Sequence, residues 1–163
     1  MKNLTAIFCL TLTLLLGSMG NSESADFQKG LTAYKSGDYA TAMREWKPLA
    51  KQGHAKSQYN LGVMYEKGNG VSQDDKTAVK WYRLAAEQGN ATAQTNLSMI
   101  YGMGSSVIQN NVYAYMWGNI AASNGSEDGA MVRDLAKKSM TPSQLETAQK
   151  LAEECIRKKY KGC

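Results

Sequence analysis

The apolar positions between residues 54 and 89 are spaced as on helices. Met64 and Tyr65 follow Leu61 by three and four residues, and Trp81, Tyr82 and Ala85 follow Ala78 by three, four and seven. Gly68 and Gly89 stand just after these segments, where a left-handed residue ends a helix, and Asp74 or Asp75 precedes the second as its N-cap. The stretch predicts a helix, a loop and a helix. Gly62 is expected to lie against Ala78, Ala85 and Ala86 where the two helices touch, with Tyr and Trp side chains filling the spaces between neighbouring pairs.

The pattern then repeats. Residues 54–89 slide onto 90–125 without a gap and give 13 identities in 36 positions, among them Gln58/Gln94, Asn60/Asn96, Leu61/Leu97, Tyr65/Tyr101, Trp81/Trp117 and Gly89/Gly125. A fixed period of this length marks an array of stacked units. An earlier unit appears once a shorter loop is allowed: in residues 26–53, Tyr34 and Gly37 take the places of Tyr65 and Gly68, while Ala42, Ala50 and Gly53 take those of Ala78, Ala86 and Gly89. After Gly125 the period is lost. Residues 126–163 read as a helix ending near Met140 and a longer one capped by Thr141, with Pro142 at its first position and Gln144 closing a capping box. Such an amphipathic pair suits the end of a stack, which needs a polar outer face.

Ahead of the array, a lysine, an apolar run from Leu4 to Leu16 and then small and polar residues make a secretory signal pattern over residues 1–24, with cleavage between Gly20 and Ser24. The run is short for a membrane span, so no transmembrane segment is expected after cleavage, an uncleaved anchor being the alternative. About 140 remaining residues suffice for one domain with its own core. Cys155 and Cys163 are the cysteines left. In an oxidising compartment an even pair predicts a disulfide, with two free thiols as the alternative. On a continuous helix the pair would stand about 12 Å apart, so bonding requires the helix to break before Gly162.

The net charge of +5 is uneven: residues 26–132 hold ten basic and nine acidic side chains, and residues 133–163 hold eight and four. The basicity belongs to the tail, where Arg157, Lys158, Lys159 and Lys161 suit an anionic envelope surface or merely the carboxyl end of a helix dipole. Export and the lack of interleaved aromatics argue against nucleic acid.

With these residues in view, A-x-x-Q-x-x-L-G-x-M-Y-x-x-G-x-G-V, then Asp, an Ala-x-x-W helix and A-A-x-Q-G resembles the Sel-1-like repeat, a relative of the tetratricopeptide repeat. Residues 54–89 match it closely, and residues 90–125 depart at Ser98 and Ser106. The first unit is more similar to an ordinary tetratricopeptide repeat. The resemblance implies an all-α, right-handed solenoid, an adaptor role through protein or peptide binding, and a concave face lined by the first helix of each unit. Carried over by position, that face holds Gln28, Lys29, Thr32 and Lys35; Lys56, Tyr59, Asn60, Val63 and Glu66; and Thr92, Thr95, Asn96 and Met99. The style of the repeats and the signal pattern suggest a Gram-negative periplasm. Cysteine-rich exported members of the family are described as β-lactamases or binders of cell-wall fragments, which makes a β-lactam hydrolase the enzymatic alternative. Those members carry a cysteine pair in each repeat, and this chain has one pair in all.

Reaction chemistry finds little support in the residues. His54, the single histidine, occupies a position that reads Asn90 and Ser126 one and two periods on, both N-cap types. Asp74 with Asp75 and Glu153 with Glu154 are adjacent on helices and diverge by about 100°, unlike an acid and base flanking a substrate. Met64, Met99, Met103, Met116, Met131 and Met140 are spaced for packing between helices. No metal, cofactor or catalytic residue is expected.

Overall fold

The computed structural model describes residues 25–104 and 108–163. The expected signal segment, residues 1–24, and Ser106 lie outside the described residues. Eight helices run in chain order: α1 (Phe27–Lys35), α2 (Tyr39–Lys51), α3 (Ala55–Lys67), α4 (Asp75–Ala86), α5 (Ala91–Met103), α6 (Asn111–Ser123), α7 (Glu127–Lys137) and α8 (Pro142–Arg157). They pair as α1·α2, α3·α4 and α5·α6, successive pairs meet through α2·α3, α4·α5 and α6·α7, and α7 and α8 close the stack against α5 and α6. The result is a short right-handed α-solenoid with a terminal helix pair. No described helix is long and apolar enough to cross a membrane.

Local chemistry sets the helix ends. Asp26, Asp38, His54, Asp74, Asn90, Asn110, Ser126 and Thr141 all accept backbone N–H bonds as N-caps, each satisfying donors that a first turn leaves open. Thr141 and Gln144 form the reciprocal capping box. The helix read as ending near Met140 stops earlier, at Lys137, because Lys138, Ser139 and Met140 make tight three-residue bonds that tighten the last turn.

Packing at Gly62 involves an aromatic ring that the spacing alone does not indicate. The glycine's nearest neighbour is the ring of Tyr82: a Cβ there would fall 2.5 Å from Tyr82 Cδ1. Gly30 admits Trp46 in the same way, at 2.4 Å. The third unit exchanges the two sizes, with Ser98 at the place of Gly62 and Gly118 at that of Tyr82. The Ser98 hydroxyl donates to the Ala114 carbonyl, and the bare Gly118 lets α7 approach until Gly129 O and Arg133 N lie 2.8 and 2.9 Å from where its Cβ would be.

A run of amides stitches successive pairs together along their turns. Gln58 donates to Ala50 O and accepts from Gln88; one period later Gln94 donates to Ala86 O and accepts from Asn124. Tyr160 ends the run by donating to Asn124 Oδ1 at 2.9 Å. Cys155 and Cys163 are disulfide-bonded, and left-handed Lys159, Tyr160 and Gly162 turn the chain back between them.

Candidate functional site

The helices α1, α3 and α5 carry the residues expected to face a partner. On α3, Lys56 is exposed and Asn60 half-buried, and neither side chain bonds to another described residue. Glu66, at the end of the same helix, accepts the Tyr82 hydroxyl at 2.8 Å and has no ion pair among the described residues. The Tyr59 ring lies 5.8 Å from that of Tyr82, and the Asn96 amide acts on both phenols. Burial, reinforced by the Glu66 carboxylate, pushes both phenols up; the Asn96 amide pulls the other way and loses. Both tyrosines are therefore neutral at ordinary pH, serving as hydrogen-bond donors and flat apolar surfaces rather than as bases or nucleophiles.

Thr95 is placed differently from the rest. It is 5% exposed, its hydroxyl donates to Ala91 O, and it meets the Ser126 hydroxyl at 2.8 Å. Ser126 in turn accepts from Gly129 N. Thr95 thus joins α5 to the cap of α7, leaving its polar atom no freedom to greet a ligand. Met99 stays accessible and opens into a cavity of about 370 Å³, walled also by Gly102, Met103, Val132, Leu135 and Ala136.

The α7 side of this cavity was missed from the sequence because the run of identities stops at Gly125. A signal was nevertheless present. The caps His54, Asn90 and Ser126 keep the 36-residue register, and adding 36 to Thr95, Asn96 and Met99 gives Met131, Val132 and Leu135. Met103, Met131 and Leu135 are 68%, 63% and 66% exposed, three of the six exposed bulky apolar side chains among the described residues. From helix to helix the character changes from amide, tyrosine and carboxylate on α3 to bare methionine and leucine on α7.

His54 serves as a cap: its Nδ1 accepts from Ser57 N, and its ring stands edge-on to Phe27 at 5.1 Å. No three His, Cys, Asp or Glu side chains gather to hold a metal ion among the described residues. In the basic tail, Lys158 pairs with Glu154 at 2.6 Å, while Arg157, Lys159 and Lys161 are exposed.

Fold and face together define a helical-repeat solenoid. The Sel1 repeat family matches residues 55–90 and 91–126, and the chain contains two Sel1 repeats. Among solved structures it is similar to a protective antigen of uropathogenic Escherichia coli displaying an SLR fold, at 29% identity and a TM-score of 0.75 over 80% of this chain and 30% of that one. It is also similar to a Sel1 repeat protein from Oxalobacter formigenes, at 29% identity and a TM-score of 0.66 over 79% of this chain and 55% of the other. A curated relative, an exopolysaccharide production negative regulator of Rhizobium leguminosarum bv. viciae, is 41% identical over 49 residues, 30% of this chain and 18% of the regulator. The chain spans less than two thirds of the length of each.

Proposed function

We propose that this protein is a non-catalytic adaptor of the cell envelope, exported to the periplasm, that holds a protein or peptide partner on the face of its first helices. The observation that carries the reading is the solvent exposure of Met103, Met131 and Leu135 on α5 and α7, together with unbonded Lys56 and Asn60 on α3. Grouped exposed apolar side chains with polar neighbours are the usual composition of a recognition surface. The N-terminal apolar run and the Cys155–Cys163 bond support an oxidising, exported setting. The match to a regulator over part of its length agrees with a role exerted through binding.

Mild crosslinking in cell-envelope extracts tests the reading. One recurrent partner is expected, and Tyr59→Ala combined with Asn60→Ala loses it while helicity by circular dichroism persists. Retention of that partner by the double variant counts against this face. Turnover of a chromogenic β-lactam, abolished by a single side-chain change, would replace the adaptor with an enzyme.

A further inference from the structure

We propose that the cavity between α5 and α7 receives a bulky apolar side chain carried by an acidic segment of the partner protein. This deepens the adaptor reading and rests on it. The cavity, about 370 Å³ and walled mainly by Met99, Met103, Val132 and Leu135, lies near the lower end of ligand-pocket sizes, roughly 300–1,000 Å³. It suits a side chain or two better than a large cofactor. Two of its walls are methionines, whose unbranched, polarizable chains reshape around different apolar groups.

The rim supplies the charge argument. Met131, Leu135 and the C-cap Lys138 follow one another at four and three residues, so the stripe of α7 runs on into a cation at its cap. Lys137 and Lys138 are exposed and make no close ion pair among the described residues, though both help hold the Asp134 carboxyl below its ordinary range. Asp134, the carboxylate nearest in sequence to Leu135, is already held by Arg133 Nε at 2.8 Å, and α5 carries no charged side chain. Ser139 and Asn111 add polar groups at the mouth. An apolar hole lined by Ala136 and Ser139, which flank Lys137 and Lys138 in the chain, with three cations against one carboxylate over residues 133–138, complements a segment that pairs a large apolar residue with Asp or Glu. A second copy of this chain fits less well, because a symmetric pairing would bring the same lysines together.

The test uses the full chain and three short fluorescent peptides: a leucine core flanked by glutamates, the same core flanked by lysines, and an alanine core flanked by glutamates. Anisotropy titrations are expected to favour the first by about tenfold or more over the other two, with the advantage shrinking as salt is added. Gly102→Leu should abolish that binding by filling the cavity. The variant should still fold, since a Cβ on Gly102 meets nothing nearer than Ala114 Cβ at 3.6 Å, and circular dichroism checks this. Lys137→Glu with Lys138→Glu should remove the preference for glutamate flanks. Equal binding of the lysine-flanked peptide, no binding of the first peptide up to about 1 mM, or a dimer dispersed by Leu135→Glu would each overturn the inference. If the native partner is lost with Tyr59→Ala/Asn60→Ala but kept with Gly102→Leu, the inference fails while the adaptor reading stands.

Discussion

Replacing Gly62 by alanine places a methyl group 2.5 Å from both Cδ1 and Cε1 of Tyr82. The ring is fully buried, its hydroxyl is held by Glu66 at 2.8 Å, and the Tyr59 ring packs beside it, so retreat breaks other contacts. Overpacking of this kind costs about 1–3 kcal/mol. Alanine regains about 0.5–1 kcal/mol of helix propensity over glycine, which leaves a net loss of about 1 kcal/mol at the middle of both ranges. Gly102→Ala isolates that gain, because its methyl group meets only ordinary contacts, the nearest at 3.6 Å. The same substitution is therefore expected to destabilise α3 and stabilise α5. Urea unfolding followed by circular dichroism should move the midpoint down for Gly62→Ala and up for Gly102→Ala with unchanged slopes. A Gly62→Ala protein as stable as the parent would refute the account of a ring seated on a bare helix.

Three further outcomes follow from the caps and the clasp. Ser126→Ala removes the cap of α7 and leaves the Thr95 hydroxyl only its bond to Ala91 O, costing about 1 kcal/mol in urea unfolding. Reducing the Cys155–Cys163 bond frees a loop with a sequence separation of 8, worth about 2–3 kcal/mol in the chain-entropy picture, so the reduced protein should melt at a lower temperature than the oxidised one. Asp38 and Asp74 lie below the ordinary aspartate range because Thr41 N and the Thr77 hydroxyl, respectively, bond their carboxylates. Ionised caps stabilise the fold fully above the unfolded-chain value of about 3.9, and their contribution disappears as pH falls through the lower native values. Urea midpoints should thus be flat in this respect above about pH 5 and fall below it, less steeply in Asp74→Asn.

Much of the scaffold was legible because caps and helix stops depend on neighbours in sequence. His54, Asn90 and Ser126 identify themselves by position in the period, and Thr141, Pro142 and Gln144 by local chemistry. What escaped depends on residues distant along the chain. Thr95 has the spacing of a groove residue, yet α7 covers it and Ser126 takes its hydroxyl. Gly62 pairs with a tyrosine 20 residues on, and the compensating exchange at Ser98 and Gly118 reads as a loss of the motif until Ser98 is seen bonded to Ala114 O. The α7 wall of the cavity lies where sequence identity has faded but backbone register has not. Met131 and Leu135 look like packing residues by spacing, and only their exposure marks them as surface.

The central claim is that a partner sits on the first-helix face. A photo-crosslinking side chain introduced singly at Asn60, Met99 or Met131, and for contrast at Lys80 or Gln149 on second helices, tests it most directly in the native cell. The account expects one adduct of constant added mass from the first three positions and none from the last two. Adducts confined to Lys80 or Gln149 would contradict it.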